Sequence, residues 1–174
     1  MKIIAFAGSN SKESINKKLV RYTCSLIEDA SIELLDLNDY EVPLYSIDRE
    51  KENGFPEKII EFVEKFEKAD KIIISLAEHN GSYTVAFKNI MDWSSRYKLK
   101  FFNDLPLFLM ATSPGGYGGG NVLAAAKNRL PKFNASIQAE FSLSNFGDNF
   151  KEGSITDSEL NGELKKKVTS FLNE

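Results

Sequence analysis

The sequence predicts an α/β fold in which a five-stranded parallel sheet lies between two layers of helices. Short apolar runs recur along the 174 residues and alternate with segments whose apolar residues have helical spacing. Most of these runs are continuous rather than alternating, which is typical of parallel strands buried on both faces. Because crossovers between parallel strands are right-handed, we expect a three-layer doubly wound sandwich with strand order 2-1-3-4-5.

The first unit is a strand, a polar loop and a helix. Residues Lys2 to Ala7 form a nearly continuous apolar run that ends at Gly8. Beyond the loop, apolar residues recur every three or four positions from Ser14 to Glu28, and Ser14 is a suitable N-cap residue. A second short strand is predicted at Ser31 to Leu37.

The middle of the chain begins with an aperiodic polar stretch that reaches Pro56. This stretch is longer than most loops, so we expect it to be functional or partly ordered. A helix from Pro56 to Ala69, a buried strand from Lys71 to Leu76 and a helix from Thr84 to Arg96 follow it.

The last part of the chain supplies two further strands and two helices. The strands are predicted at Leu105 to Ala111 and Ala135 to Leu143, and the helices at Val122 to Leu130 and Asp157 to Leu172. Apolar and polar residues alternate in the final strand, which favours a position at the edge of the sheet. We find no repeat, linker or second domain, so a single domain over residues 1–174 is expected.

The composition disfavours several classes of function. The formal net charge of -3 lacks the basic surplus typical of nucleic-acid-binding proteins. No apolar stretch has the roughly 20 residues needed to cross a bilayer, and the first residues do not resemble a signal peptide, so the cytoplasm is the expected location. One cysteine, Cys24, and one histidine, His79, cannot form a Cys/His zinc site within one chain.

The loop after the first strand is a candidate phosphate site. In a doubly wound sheet, ligands bind at the carboxyl ends of the strands near the switch in strand order. The loop from Gly8 to Asn16 is rich in hydroxyl and amide groups and leads into a helix N-terminus, which favours anions. It matches neither the Walker loop nor the dinucleotide-binding motif. The alternative is a Ser-rich turn that only caps the helix.

Two more loops are expected at the same edge of the sheet. The loop from Ala77 to Tyr83 presents Glu, His, Asn and Ser side chains together, which suits hydrogen bonding or stacking with a planar ring. The loop from Thr112 to Gly120 contains five glycines in six positions, which allow the backbone to approach a ligand or to act as a hinge. The alternatives are a flexible linker for the third loop and a solvent-facing position for His79.

These loops contain motifs that resemble the NAD(P)H-dependent FMN reductases of flavodoxin-like fold, a family that includes quinone, azo and chromate reductases. The resemblance runs from Met1 to about Phe141. It rests on G-S-x-x-x-x-S-x-N-x-x-L from Gly8 to Leu19, E-H-N-G-S from Glu78 to Ser82, K-N-x-x-D-W from Lys88 to Trp93, and S-P-G-G from Ser113 to Gly116.

The resemblance implies a flavodoxin-like domain that binds FMN and accepts electrons from NADPH or NADH. It places the FMN phosphate on Ser9, Ser11, Ser14, Ile15 and Asn16. It places the flavin ring over Glu78, His79, Asn80 and Gly81, with Ser113 and Gly116 nearby. It further implies a small-molecule electron acceptor and a homodimer or homotetramer, and it assigns no side chain a catalytic role because the flavin performs the electron transfer.

Three residues depart from the usual pattern of this family. Ser11 stands where the family has Arg, Ala77 where it has Pro, and His79 where it commonly has Tyr. Loss of the Arg removes a charge-assisted contact to the phosphate, so we expect weaker retention of FMN unless Lys12, Lys17 or Lys18 replaces that charge.

The predicted function is therefore a cytoplasmic oxidoreductase that passes electrons from NAD(P)H through FMN to free flavin, a quinone, an azo compound or a metal oxyanion. One alternative is a flavodoxin-like electron carrier that docks on redox proteins. Another is a module without redox activity. Two features have structural interpretations: Cys24 is expected to be a structural thiol, and the aromatic cluster around Trp93 is expected in the core or at a subunit contact.

Overall fold

A five-stranded parallel sheet forms the centre of the protein in a computed structural model that describes residues 1–173. The strands of this sheet are β1 (Lys2–Gly8), β2 (Ser31–Leu35), β3 (Lys71–Leu76), β6 (Pro106–Thr112) and β7 (Ser136–Leu143). Four shorter strands lie outside it: β4 (Glu78–His79), β5 (Ser82–Tyr83), β8 (Phe150–Lys151) and β9 (Ser154–Ile155). The helices are α1 (Ile15–Ser25), α2 (Ile47–Asn53), α3 (Glu57–Glu67), α4 (Val85–Tyr97), α5 (Gly120–Arg129), α6 (Phe146–Asn149) and α7 (Ser158–Asn173).

The central sheet has the order β2-β1-β3-β6-β7, and each neighbouring pair is parallel. This confirms the predicted doubly wound fold and the order 2-1-3-4-5 of its five strands. The alternating strand β7 lies at an edge, as its pattern predicted. The pairs β4–β5 and β8–β9 form two small antiparallel hairpins that the sequence analysis did not predict.

Apolar residues of the central strands face two separate layers of helices. Successive residues of a strand point to opposite faces, so Ile3 and Ala5 of β1 pack with α1 and α7, whereas Ile4 and Phe6 pack with α3, α4 and α5. This explains why β1, β3 and β6 read as continuous apolar runs: both of their faces are buried.

The long polar stretch before Pro56 is largely ordered, as its length suggested. It contains a 3₁₀ turn over Leu37–Tyr40 and the helix α2. Side chains of α4 hold it in place: the Asn89 Oδ1 atom accepts a hydrogen bond from the Tyr45 N–H at 2.8 Å, and the Trp93 Nε1–H donates to the Pro43 carbonyl at 2.8 Å. Two residues of the motif K-N-x-x-D-W therefore fix this segment.

The structure also shows the surroundings of Cys24 and of the aromatic cluster around Trp93. Cys24 is 8% exposed, and burial raises the pKa of its thiol to about 12, as expected for a structural cysteine. Trp93, Phe101 and Phe102 are buried in the core, whereas Tyr97 is partly exposed. No helix within residues 1–173 is both long and apolar enough to cross a membrane.

Candidate functional site

The three predicted loops meet at one edge of the sheet because they follow three neighbouring parallel strands. Gly8 at the end of β1 pairs with Leu76 of β3, and Leu76 pairs with Ala111 of β6. The segments that follow these positions are the first loop, taken with the start of α1 (residues 9–16), the second loop (77–83) and the third loop (113–119). The sheet register thus brings the sequence-predicted site residues to one end of the molecule.

The first loop has hydrogen-bond donors without protein acceptors. Ser14 is the N-cap of α1, and its Oγ atom accepts from the Lys17 N–H at 3.2 Å. The backbone N–H groups of Ile15 and Asn16, in the first turn of α1, have no acceptor within residues 1–173. Within the same residues the hydroxyls of Ser14 and Ser9 accept hydrogen bonds but donate none, although both side chains are buried.

This donor set matches the chemistry of a phosphate group. Two backbone N–H groups, two buried hydroxyls and the positive end of α1 are suited to several anionic oxygens. No acidic residue lies in the first turn of α1 to compete for these donors. Ser11 is exposed in the same loop, and its N–H donates to the Ser9 Oγ at 3.2 Å.

Of the three lysines considered as substitutes for the usual Arg, two are already paired. The Lys17 Nζ lies 2.6 Å from Asp36 Oδ2, and the Lys18 Nζ lies 3.4 Å from Glu13 Oε2. Lys12 is exposed and forms no ion pair with any residue in the described range 1–173. Lys12 is therefore the cation of this loop that a phosphate can recruit without breaking an existing pair.

The side chain of Asn16 faces away from the loop. Its Oδ1 atom accepts from the Ser75 hydroxyl at 2.7 Å and from the Thr112 N–H at 3.0 Å, and its Nδ2 donates to the Thr112 carbonyl at 3.1 Å. Asn16 thus ties α1 to the carboxyl ends of β3 and β6, and only its backbone N–H is left for a ligand.

The second loop is a tight hairpin that exposes three of the predicted residues. The turn between β4 and β5 is Asn80-Gly81, and both residues have positive φ angles (51° and 73°), as in a type I′ turn. His79, Asn80 and Gly81 are exposed. The Glu78 carboxylate instead accepts from the Val122 N–H at 3.0 Å and from the Asn121 amide at 3.1 Å. Glu78 therefore caps α5 and joins the second loop to the third.

The third loop is ordered by hydrogen bonds rather than being a free linker. The Phe146 N–H donates to the Ser113 carbonyl at 3.1 Å, and the Asn145 N–H donates to the Gly115 carbonyl at 3.0 Å. Gly119 caps α5 with φ +79°, and a Cβ atom there would lie 2.8 Å from the Ala111 Cβ. Ser113 is half-buried and Gly116 is exposed at this edge of the sheet.

A cavity of about 230 Å³ adjoins the first and second loops. Asn10 and His79 line it on the side of these loops, and Val85 and Ala86 line it on α4. The segment from Leu37 to Leu44 forms the opposite wall. Neither Asn10 nor this wall was predicted as part of the site, and the unusual length of the polar stretch was the signal that pointed to the wall.

Comparison with known families decides the class of protein. The family model described as NADPH-dependent FMN reductase matches residues 1–148. The chain belongs to this family. The predicted enzyme class, an oxidoreductase, is thereby confirmed, as are FMN and a reduced nicotinamide nucleotide as the cofactor and electron donor of the family.

Curated relatives of this family member include proteins named as quinone reductases. The quinone reductase of Escherichia coli strain K12 is 32% identical over 120 residues, which cover 68% of this chain and 63% of that protein. A protein of uncharacterised function from Mycoplasma pneumoniae is 30% identical over 147 residues, covering 82% of this chain and 86% of its own. The chain thus spans less than two thirds of the Escherichia coli enzyme.

Solved structures show the same fold over the whole chain. The flavoenzyme NAD(P)H:(acceptor) oxidoreductase FerB from Paracoccus denitrificans superposes with a TM-score of 0.78 at 26% identity, covering 99% of this chain and 95% of its own. An FMN-dependent NADH-azoreductase from Bacillus anthracis, solved in complex with FMN, has a TM-score of 0.64 at 14% identity and covers 96% and 95% of the two chains.

Proposed function

We propose that this protein binds FMN at the carboxyl edge of its sheet and uses NADPH or NADH to reduce a small-molecule acceptor, which is free flavin, a quinone, an azo compound or a metal oxyanion. The observation that carries the proposal is the set of unpaired donors in the first loop, because this set suits the phosphate by which FMN differs from riboflavin. Relatives named as a quinone reductase and as an NADPH:quinone oxidoreductase support a quinone among these acceptors.

In this proposal the first loop holds the FMN phosphate. The N–H groups of Ile15 and Asn16 and the hydroxyls of Ser9 and Ser14 donate to its oxygens, with the exposed Ser11 hydroxyl beside them. Lys12 supplies the positive charge that the loop otherwise lacks.

The second and third loops hold the flavin ring. His79, Asn80 and Gly81 would hold the ring, with Ser113 and Gly116 contributing from the third loop. Glu78 acts indirectly, because its hydrogen bonds to the start of α5 fix the two loops relative to each other.

Bound FMN supplies the redox chemistry, since the flavin accepts a hydride and passes electrons on. The residues of this chain bind and orient the ring and exclude water from one side of it. Backbone N–H groups directed at the pyrimidine edge would stabilise the negative charge of the reduced ring. No side chain is assigned a catalytic role.

A substitution at Ser14 separates phosphate binding from helix capping. Asp caps a helix as well as Ser does, but Ser14→Asp places a carboxylate against the proposed phosphate and removes a hydroxyl donor. We expect the Kd for FMN, measured by flavin fluorescence, to rise about 30-fold, which corresponds to about 2 kcal/mol. The Kd for riboflavin, which has no phosphate, should change less than about twofold.

Ser46 offers a matched control because it caps α2 in the same way, with its Oγ accepting from the Arg49 N–H at 3.2 Å. Ser46→Asp should leave both Kd values unchanged, and urea unfolding should show that both variants remain folded. An FMN affinity that survives Ser14→Asp, or an equal loss of riboflavin affinity, would place the phosphate elsewhere.

We extend the proposal to the assembly and location of the protein. Val85 at the start of α4 and Leu44, which lines the same cavity, are 69% and 60% exposed, and these apolar side chains are suited to a contact in a homodimer or homotetramer. A monomeric mass at micromolar concentration would contradict this. We further propose that residues 1–174 form one FMN-binding domain. The protein is proposed to act in the cytoplasm, where reduced nicotinamide nucleotides are regenerated.

A further inference from the structure

We infer that the cavity beside the first and second loops receives the electron acceptor, and that Glu41 makes it select neutral acceptors over anionic ones. The inference rests on the proposed function, because it concerns the acceptor that the reduced cofactor would meet. It goes further by naming which of the acceptor classes the site favours.

The position of the cavity is the first argument. Its lining includes Asn10 of the first loop and His79 of the second loop, the two loops proposed to hold FMN. An occupant of the cavity therefore contacts the same two loops as the cofactor. Within residues 1–173 neither side chain has a hydrogen-bond partner; Asn10 is free to meet a carbonyl oxygen of the occupant, and His79 borders both the cavity and the proposed position of the flavin ring.

The size of the cavity is the second argument. Its volume of about 230 Å³ is below the roughly 300–1,000 Å³ of sites for drug-sized ligands. Apolar side chains of Leu37, Val42 and Ile90 contribute to its walls. These dimensions and walls suit a compound of one or two rings rather than a second flavin.

The charge of the lining is the third argument. Among residues 1–173, Glu41 is the one acidic residue that lines the cavity, and no Lys or Arg of this range lines it. Glu41 forms no ion pair within residues 1–173. The nearest cation in sequence, Arg49, donates from its Nη1 to the Leu44 carbonyl and does not line the cavity, and Lys88 on α4 is paired with Asp92 at 2.7 Å. An anion entering the cavity therefore meets an uncompensated negative charge, whereas a neutral quinone does not.

The wall that carries Glu41 is held in place from α4. The Asn89 Nδ2 donates to the Val42 and Pro43 carbonyls at 3.2 Å each, and the Trp93 Nε1–H donates to the Pro43 carbonyl at 2.8 Å. These bonds begin at the residue after Glu41. The backbone next to Glu41 is thus fixed beside the cavity, and the exposed Glu41 side chain extends from this fixed segment.

The kinetic test compares a neutral with an anionic acceptor of the same ring system. With the FMN-loaded enzyme, kcat/KM is measured for 1,4-naphthoquinone and for a sulfonated naphthoquinone. We expect the ratio of the anionic to the neutral value to rise about threefold in Glu41→Gln and about tenfold in Glu41→Lys.

Asp39 provides the matched control. It lies on the 3₁₀ turn two residues before Glu41 and does not line the cavity. Asp39→Asn should leave the ratio unchanged. A ratio that stays the same in Glu41→Lys, or that rises equally in Asp39→Asn, would overturn the inference.

A binding test does not depend on turnover. His79 is the one histidine of the chain, so its imidazole protons give an assigned NMR signal without further labelling. Methylhydroquinone should shift this signal in a saturable way, whereas a sulfonated hydroquinone should do so with comparable affinity only in Glu41→Lys. Absence of a shift with the neutral compound, or equal affinity for both compounds in the wild-type protein, would contradict the inference.

The two proposals fail in different ways. If the protein does not retain FMN or is not reduced by NADPH, the proposed function is wrong, and the His79 signal still reports whether the cavity binds hydroquinones. Glu41→Lys can also leave unchanged both the ratio of kcat/KM for the anionic and the neutral acceptor and the hydroquinone titrations followed by the His79 signal. If FMN nevertheless binds and is reduced, the proposed function stands and the assignment of Glu41 is wrong.

Discussion

Asn16 belongs to two parts of the molecule at once. Its backbone N–H lies in the first turn of α1, while its side chain bonds Ser75 and Thr112 at the ends of two strands. The sequence indicates Asn16 as a loop residue because of its position in the motif. It does not reveal the side-chain role, because those partners lie 59 and 96 positions away along the chain.

We predict that Asn16→Ala destabilises the fold. The substitution removes three buried hydrogen bonds, one to the Ser75 hydroxyl and two to the backbone of Thr112, so the free energy of unfolding in urea should fall by about 2–4 kcal/mol. Ser11→Ala, at an exposed position in the same loop, should change it by less than about 0.5 kcal/mol. An Asn16→Ala protein as stable as the Ser11→Ala protein would refute this assignment.

The charge of Lys12 is expected to contribute to FMN binding. Lys12→Met should raise the Kd for FMN about threefold to tenfold, because it removes the unpaired cation of the first loop. The Kd for riboflavin should not change, and the effect on FMN should shrink at about 1 M salt. Lys18→Met removes a cation already paired with Glu13 and serves as the control. Equal effects of the two substitutions would remove Lys12 from the site.

Among the secondary-structure elements, the turn of hairpin β4–β5 has a recognisable sequence pattern. The dipeptide Asn80-Gly81 is the usual two-residue turn of a tight hairpin, because both positions need positive φ. The strands on either side are only two residues long, so their pattern is too short to predict strands. The local turn could thus have been predicted, but not its attachment to α5 through Glu78.

The segment between β2 and α3 is the element that sequence patterns describe least well. It has no apolar period, because its order comes from hydrogen bonds to α4 rather than from burying one face. Only its length indicated a role. The helix α4 was predicted from its apolar residues, but the partners of Asn89 and Trp93 required the tertiary structure.

We predict that Asn89→Ala loosens this segment without affecting the phosphate site. The Tyr45 N–H loses its acceptor at 2.8 Å, so its hydrogen exchange, followed by NMR, should accelerate about tenfold. FMN affinity should stay within about twofold, because the first loop does not depend on these bonds. Lys88→Ala breaks only an exposed ion pair on the same helix and should leave the Tyr45 exchange rate unchanged. Acceleration by both variants, or by neither, would contradict the prediction.

For the molecule as a whole, the sequence was sufficient to predict the fold and to predict that the three loops meet at one edge of the sheet. Continuous apolar runs identified β1, β3 and β6, and the rules for parallel sheets then brought the loops after them together. The cavity was not predictable in this way. Its walls come from the first loop, the second loop, α4 and the segment before α2, and their arrangement depends on side-chain hydrogen bonds across long sequence separations.

We propose that this chain is an FMN-dependent reductase whose cofactor is reduced by a nicotinamide nucleotide. The most direct measurement is the visible spectrum of the FMN-loaded, desalted protein during anaerobic addition of NADPH and then NADH. We predict flavin bands that survive desalting and bleach with at least one nucleotide. Flavin that is retained but bleaches only with dithionite would indicate an electron carrier, and flavin that is lost on desalting would contradict the cofactor site itself.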